Sequence, residues 1–264
     1  MHSILVTDAG PIRTITLNRP DFRNAITPEM QRELIRALDE TAVTSSVRVL
    51  VLTGAGQAFC AGLDLGSLKH AEEAQATSPE PAFQMQDNTH RFSRIMRMLY
   101  ELPIPTIAAV NGHAIAGGTG IATICDFTLA VPEAKFGYTE VKIGFIPAVV
   151  SVYLAMQVGE KRARELLLTG RLFSAEYAHR LGLVTELVEC QDLMPHVHAL
   201  AETLLANSST SMRDTKALLA DERRESLDRA LELSLQASAE TRKTADFLEG
   251  VTAFLEKRKP RWAE

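Results

Sequence analysis

The sequence has few of the features expected of a secreted or membrane protein. It contains three cysteines, Cys60, Cys125 and Cys190, an odd number set in apolar surroundings. A disulfide framework is therefore not expected, and a reducing compartment is favoured. The first residues contain no basic segment followed by a long apolar one, so no secretory signal is predicted. No apolar run approaches the ~18 residues of a membrane span. We expect a cytoplasmic protein without a membrane partner.

The sequence also lacks an excess of basic residues and the residue spacing of metal-binding motifs. The chain has 28 Lys and Arg against 33 Asp and Glu, a net charge of -5 at pH 7. This balance argues against a nucleic-acid partner. No cysteine pair or histidine cluster has zinc spacing, so no metal site is predicted. Arg91, Arg94 and Arg97 form a basic stripe on a predicted helix, and a solvated helix face is favoured over a nucleic-acid patch.

Apolar periodicity predicts an α/β fold in the first half of the chain. Residues 3–20 contain two β-branched runs around Gly10, which predict a hairpin. Thr27 and Pro28 suit the start of a helix. The apolar face of that helix is formed by Met30, Leu34, Ala37 and Leu38. Three apolar segments predict buried, parallel strands separated by helices. They are residues 47–54, 104–112 and 127–131.

The remaining segments predict a loop and a helical second half. Residues 66–88 lose the apolar rhythm and carry Pro79 and Pro81, which predicts a mobile surface loop of the length used by lids. After residue 148, successive helical patterns end on glycine, as C-terminal caps often do. From about residue 191 we expect helices only. Their amphipathic faces need a surface, either the body of the protein or a neighbouring subunit.

Two glycine-rich segments partly resemble nucleotide-binding motifs. "TGAGQAF" begins as G-x-G, but Phe59 stands where a dinucleotide site has its third glycine. "AGGTG", residues 116–120, lacks both that spacing and the Lys-Ser/Thr of a P-loop. Neither nucleotide site is predicted.

A pair of strand-to-turn transitions suggests a different role for these glycines. "FCAGLDL" (59–65) and "NGHAIAGGTG" (111–120) each follow a buried strand. Lying side by side, they would supply two convergent backbone N–H donors, as an oxyanion hole requires. A helix that begins near Gly117 would add its positive dipole end. The alternative is that both are ordinary tight turns.

Five segments together resemble the crotonase (enoyl-CoA hydratase/isomerase) superfamily. They are "LNRPDFRNAIT", "FCAGLDL", "PTIAAVNGHAIAGGTGIATICDFTLA", "FGYTEVKIGFIP" and "ARELLLTGRLFSAEYAHRLGLV", and the match continues to "FLEKRKP". The detail of "GGTGIATICD" and "TEVKIGFIPAVVS" is similar to the methylglutaconyl-CoA hydratase-like branch.

The resemblance implies a fold and an assembly. Residues 1–195 would form an α/β crotonase-like (ClpP/crotonase) spiral of ββα turns that binds acyl-CoA and carries catalysis. Residues 196–264 would form a C-terminal helical oligomerisation region that builds a homotrimer or a dimer of trimers. The substrate implied is an acyl-CoA thioester, with coenzyme A as part of the substrate and no separate cofactor.

The resemblance also assigns catalytic groups. The oxyanion donors would be the backbone N–H groups of Leu63 and Gly117. Glu140 would be the acid/base. Its apolar neighbours would raise its pKa toward working pH if they enclose it. The alternative for Glu140 is a surface glutamate in a loop.

Coenzyme A contacts are implied by the same resemblance at residues near both ends of the chain. They are Arg23, Asn24, Ala25, Ala61, Gly62, Asp64, Phe254 and Lys257. Asp64 could instead cap a turn, and Lys257 could be one solvated charge. Asp126 is expected to tie down backbone groups near the site.

Gly120 departs from the pattern of two-glutamate hydratases, which carry their second catalytic carboxylate at this position. Glycine inside a helix costs about 1 kcal/mol against alanine, so we expect it to be retained for space, for an acyl chain or a water. Tight packing is the alternative. A sole Glu140 suits a 3-enoyl/2-enoyl isomerase, whereas the branch resemblance favours a hydratase. A non-catalytic binding homologue is the third hypothesis.

Overall fold

The computed structural model describes residues 2–66 and 80–262, with the backbone alone for residues 80–87. In these residues the strands are β1 (Ile4–Ala9), β2 (Ile12–Leu17), β3 (Val49–Gly54), β4 (Ala58–Cys60), β5 (Thr106–Val110), β6 (His113–Ile115), β7 (Phe127–Ala130), β8 (Lys135–Gly137), β9 (Phe173–Ser174) and β10 (Glu186–Leu187). The α-helices are α1 (Pro28–Val43), α2 (Glu80–Glu101), α3 (Gly117–Ile124), α4 (Ala148–Thr169), α5 (Ala175–Arg180), α6 (Leu193–Leu205), α7 (Ser209–Asp221), α8 (Arg224–Thr241) and α9 (Ala245–Leu255).

The strands form two sheets that the chain enters alternately. One sheet has the order β1-β2-β3-β5-β7-β10, and the other has the order β4-β6-β8-β9. From β3 to β8 each turn of the chain adds a strand to the first sheet, then a strand to the second, and the neighbours from successive turns are parallel, whereas β9 pairs antiparallel with β8. Helices α2 and α3 follow two of these strand pairs. The expected spiral of ββα turns is therefore confirmed.

The first sheet is the centre of the hydrophobic core. All four apolar residues at the start of β3, Val49 to Leu52, are at most 1% exposed, and β5 is buried throughout. Full burial of one such side chain stabilises the fold by about 1.5–3 kcal/mol. Strands covered on both faces read as continuous apolar runs, which is why these segments were recognisable in the sequence.

The predicted N-terminal elements are present. β1 and β2 pair antiparallel, as the hairpin prediction requires. In α1, the side chain of Thr27 accepts a hydrogen bond from the backbone N–H of Met30, and Pro28 occupies the first turn. The predicted apolar face is buried. Helices α4 and α5 are followed by Gly170 and Gly182, both with positive φ.

The loop predicted over residues 66–88 is wrong in its C-terminal part. Helix α2 begins at Glu80, so residues 80–88 are helical. Pro81 lies in the first turn of this helix, where its missing N–H is not needed, so it marks a helix start. Residues 67–79 lie outside the described residues.

The helices after residue 191 pack against the spiral and its pocket. Residues 193–255 contain α6 to α9, as expected. Helix α9 lies on the short 3₁₀ helix Glu140–Ile143, so closely that a Cβ on Gly250 would fall 2.3 Å from the carbonyl carbon of Ile143. In the described ranges, no helix combines the length and apolar character needed to cross a membrane.

Candidate active site

An apolar pocket of about 150 Å³ lies where the spiral meets the last helices. Its walls come from the loops after β4 and β6, from the 3₁₀ helix Glu140–Ile143, and from α2, α4, α8 and α9. The aromatic part of the lining consists of Phe92, Phe145, Phe247 and Phe254. The rings of Phe145 and Phe247 pack with their centroids 5.2 Å apart. Water is therefore largely excluded from one side of the site.

The loop after β4 presents the backbone N–H of Leu63. Ile26 donates to the carbonyl of Gly62 (2.8 Å) and accepts from the N–H of Asp64 (3.0 Å). These two bonds form a parallel bridge around Leu63, so the N–H of Leu63 itself faces away from Ile26. Gly62 allows this turn because its φ is +86°.

The loop after β6 presents the backbone N–H of Gly117, the first residue of α3. Ala116 precedes it with φ 52° and ψ -123°, a conformation that costs an alanine of order 1–3 kcal/mol. The N–H of Ala116 is held by the carbonyl of Gly137 at 2.7 Å. This strained residue connects β6 to α3 and places Gly117 in the wall of the pocket.

The two turns touch each other. A Cβ built on Gly62 would lie 3.4 Å from the nitrogen of Gly117 and 2.9 Å from the carbonyl oxygen of Ile115. In the part of the chain that the structure describes, neither Leu63 N–H nor Gly117 N–H donates a hydrogen bond. Two adjacent backbone donors without partners are what a developing negative charge on oxygen requires.

Glu140 faces the same pocket. The residue is buried at 9% exposure, and within the described part of the chain its Oε2 has no hydrogen-bond partner. Burial raises the pKa of Glu140 to about 7, against a smaller lowering by its own backbone N–H. Among the described lining residues, Glu140 carries the one carboxyl group. The loop-surface alternative for Glu140 is thereby excluded.

Gly120 does not leave open space above helix α3. A Cβ at this position would lie 2.5 Å from Val150 Cγ1 and 3.3 Å from Met96 Cε. Val150 is buried and lines the pocket from α4. The expectation of room for an acyl chain or a water at Gly120 is therefore wrong, because helix packing fills that room.

The two N-terminal segments assigned to coenzyme A lie together. The N–H of Ala61 donates to the carbonyl of Arg23 at 3.0 Å, which joins the Arg23–Ala25 segment to the loop after β4. Arg23 is exposed, Ala25 is half-buried, and Ala61 lines the pocket. Asp64 forms an ion pair with Arg19 at 3.0 Å, which gives it a structural role at this turn.

Asn24 is fully buried and its side chain is engaged within the protein. Its Nδ2 donates toward the carbonyls of Ala55, Ala58 and Phe59, and its Oδ1 accepts from the N–H of Arg19. The side-chain amide of Asn24 is therefore a brace between loops, and it has no group left for coenzyme A. That the turn of Arg23, Asn24 and Ala25 contacts coenzyme A stays a prediction.

The two tail residues differ in position. Phe254 lines the pocket although it is 58% exposed, and it does so within its own chain. Lys257 is exposed with φ 55° in the turn after α9 and is not part of the pocket wall. Its contact with coenzyme A stays a prediction.

The basic stripe and Asp126 have structural partners. Arg94 pairs with Asp39 at 3.0 Å, and Arg97 pairs with Glu101 at 3.1 Å. Asp126 accepts from the backbone N–H of Thr106 and pairs with Lys216. The described residues contain no group of three or more His, Cys, Asp or Glu side chains arranged for a metal.

Sequence reasoning missed the parts of the pocket that come from distant helices. Phe92 and Thr89 lie on α2, Val150 on α4 and Ser238 on α8. These residues lie in ordinary amphipathic helices, where a lining residue and a core residue give the same pattern. Only tertiary packing distinguishes the two.

Comparison with known proteins agrees with this arrangement. The family model "Enoyl-CoA hydratase/isomerase" matches residues 8–264. A Thermus thermophilus protein named "Putative enoyl-CoA hydratase" is 43% identical over 97% of this chain and 98% of its own length. The Escherichia coli "1,2-epoxyphenylacetyl-CoA isomerase" is 34% identical over 99% and 98%.

A solved structure agrees as well. The crystal structure of an enoyl-CoA hydratase from Mycobacterium avium has a TM-score of 0.85 and 32% identity, and 99% of each chain is covered. The spiral, the two paired turns and the near full-length match together lead to one conclusion: the chain belongs to the enoyl-CoA hydratase/isomerase family, within the crotonase superfamily.

Proposed function

We propose that the protein is an enoyl-CoA hydratase that adds water across the 2,3 double bond of a 2-enoyl-CoA thioester. The observation that carries this proposal is the position of Glu140, buried with a pKa of about 7 in the pocket that the two unpartnered N–H groups also border. A carboxyl group with such a pKa can both accept and return a proton near neutral pH.

The thioester carbonyl would lie between the N–H groups of Leu63 and Gly117. These donors draw electrons from the conjugated double bond and make C3 electrophilic. As the oxygen of water bonds to C3, the π pair moves onto the thioester as an enolate. One well-placed donor to such an oxyanion contributes about 3–4 kcal/mol to lowering the barrier.

Glu140 would carry out both proton transfers. Its carboxylate takes a proton from the attacking water, and the resulting acid returns that proton to C2 as the enolate collapses. The net change is the addition of one water. A second carboxylate is absent from the described pocket lining, and Gly120 and Val150 leave no room for one on α3.

A 3-enoyl/2-enoyl-CoA isomerase is the second candidate. Double-bond migration needs one base, which removes a proton from C2 and returns it at C4, with the enolate held by the same two donors. The single carboxyl group favours this reaction, and one relative at 34% identity is named an isomerase. Relatives named "Crotonyl-CoA hydratase" and "Short-chain-enoyl-CoA hydratase", each 31% identical, favour water addition.

One assay separates the candidates. Purified protein is given 2-enoyl-CoA in ¹⁸O-water, and the absorbance of the conjugated thioester is followed together with the product mass. Loss of absorbance with ¹⁸O in a 3-hydroxyacyl-CoA is expected. A parallel reaction starts from 3-enoyl-CoA. If 2-enoyl-CoA loses no absorbance but 3-enoyl-CoA gains the absorbance of the conjugated thioester, the protein is an isomerase. Binding of acyl-CoA without turnover, unaffected by Glu140→Gln, would indicate a non-catalytic binding homologue.

We also propose that residues 196–264 mediate assembly into trimers or pairs of trimers, with residues 1–195 as the catalytic spiral. Large apolar side chains are exposed along α7 to α9, including Leu218, Leu219, Leu233 and Leu248. The molar mass in solution, by light scattering, tests this.

The reducing cytoplasm is the proposed location, consistent with the three unpaired cysteines.

A further inference from the structure

The apolar pocket has a polar end where helices α2 and α8 meet. Thr89 and Ser238 line both this pocket and an adjoining cavity of about 620 Å³. The other walls of the adjoining cavity are mainly polar, including His90, Gln236 and Glu240. Thr89 and Ser238, hereafter the polar pair, therefore stand at the boundary between an apolar site and a polar one.

Ser238 has an unused hydroxyl. The residue is 1% exposed, and its Oγ has no hydrogen-bond partner among the residues that the structure describes. A serine inside a helix usually returns its hydroxyl to the preceding turn. Ser234, one turn earlier in α8, does so by donating to the carbonyl of Leu231 at 2.8 Å. An unpaired buried hydroxyl is costly, so the structure leaves Ser238 with a partner still to be supplied.

Thr89 brings a second hydroxyl to the same end of the pocket. Its Oγ1 accepts a hydrogen bond from Arg242 Nη2, which leaves the hydroxyl hydrogen of Thr89 for another acceptor. The guanidinium of Arg242 also lies over the ring of Phe145, 5.3 Å from its centroid, so its position is fixed from two sides. The polar pair thus offers two hydroxyl donors at the end of an apolar pocket.

We propose that the polar pair binds an uncharged oxygen, hydroxyl or keto, on the distal part of the acyl chain. The preferred substrates are then oxygenated 2-enoyl-CoA thioesters. This inference rests on the proposed function, since that function places the thioester at Leu63 and Gly117. An uncharged oxygen is favoured because the polar pair itself carries no charge, and the charges around the adjoining cavity balance: Glu232, Glu240 and Arg242 line it, and Glu240 also pairs with Lys243.

The test compares matched substrates on matched variants. Trans-2-enoyl-CoA thioesters of six to ten carbons are used, each with a terminal methyl, a terminal hydroxyl or a methyl ketone. One neutral hydrogen bond to a buried group corresponds to roughly a three- to tenfold preference in kcat/KM. We expect that preference for oxygenated chains at one chain length in the wild type. Ser238→Ala should bring the ratio of kcat/KM values for the oxygenated and alkyl chains to about one.

Ser234→Ala is the matched control, because it removes a buried hydroxyl from the same helix that is already satisfied. It should keep the wild-type preference. No preference at any chain length, or a preference that Ser238→Ala leaves intact, overturns the proposal. Dissociation constants of saturated alkyl and hydroxyalkyl acyl-CoA pairs give the same comparison without turnover. They decide the matter even if the hydratase assignment fails.

Discussion

Val150 occupies the position above Gly120 that a side chain on α3 would need. Its Cγ1 stands 2.5 Å from where a Cβ at Gly120 would be, and Met96 Cε stands 3.3 Å away. The glycine and the valine are thus one packing unit between α3 and α4. The packing of α3 against α4 leaves no room for a carboxylate side chain at residue 120. Exchanging Gly120 alone would therefore not introduce a second carboxylate without a change in α4.

Gly120→Ala is expected to destabilise the protein despite the better helix propensity of alanine. Alanine gains about 1 kcal/mol over glycine inside a helix, but the collision with buried Val150 costs typically 1–3 kcal/mol. The measurement is the free energy of unfolding in urea at fixed protein concentration. Gly120→Ala/Val150→Ala is the control, and the double variant should lose less than the two single losses added together. If the loss of unfolding free energy in the double variant equals the sum of the two single losses, the proposed packing of Gly120 against Val150 is contradicted.

Gly62→Ala is expected to reduce kcat/KM by about 10²–10³, the loss expected when one oxyanion donor is misplaced. Gly62 has φ +86°, and its added methyl would lie 2.9 Å from the carbonyl oxygen of Ile115 and 3.4 Å from Gly117 N. Gly10→Ala is the matched control. Gly10 also has positive φ, at +60°, but nothing lies within 4 Å of its Cβ position, in the hairpin far along the chain from the site. Equal activity losses in both variants would exclude a specific role for the turn.

The pH dependence of kcat/KM should report the titration of Glu140. Its carboxylate is the base, and its pKa is raised to about 7 by burial. Because the protonated form is inactive, log kcat/KM should rise by about one per pH unit below pH 7 and level off above it. The measurement is initial rates with 2-enoyl-CoA from pH 5 to 9 at constant ionic strength. A profile flat down to pH 5 would contradict the buried position.

Glu140→Gln should abolish turnover and make the protein more stable at alkaline pH. The unfolded carboxyl titrates at the ordinary value of 4.5, whereas the folded one titrates at about 7. Between these values the folded protein holds a proton that the unfolded chain has released, so stability falls as pH rises through this window. Above pH 7 the buried carboxylate costs on the order of 3 kcal/mol, which glutamine avoids.

The measurement for Glu140→Gln is the difference in Tm between variant and wild type at several pH values. The difference should grow from pH 4.5 to 7 and then stay constant. Glu133→Gln, which removes an exposed carboxyl group, supplies the baseline for a change of charge. A difference that does not change with pH would show that Glu140 is solvated in the folded protein.

Local signals in the sequence were sufficient for the buried strands, the first helix and the glycine turns, whereas the spiral was implied by the family resemblance. The buried strands read as apolar runs, α1 carries its own cap at Thr27, and the turns at Gly62 and Gly117 are marked by glycine. Each of these features depends on neighbours within a few residues. Backbone chemistry of this kind is visible before the fold is known.

Features that depend on distant packing could not be predicted. Asn24 was predicted to belong to the coenzyme A pocket because it lies in a family motif, and the sequence did not reveal that its side-chain amide donates to carbonyls more than 30 residues away. Free space was predicted at Gly120, but Val150 fills that space. Val150 lies 30 residues downstream in another helix, so the residues around Gly120 do not reveal it. Helix α2 was missed at its start because prolines suggested a loop, although Pro81 is at home in a first turn.

Helix α9 supplies Phe247 and Phe254 to the pocket wall, whereas the donor turns lie in the first half of the chain. During translation Leu63 and Gly117 are therefore synthesised well before the residues that complete this wall. A nascent or C-terminally clipped chain would carry the donors in an open groove. The pocket wall is thus complete only after the last helix, α9, has been synthesised.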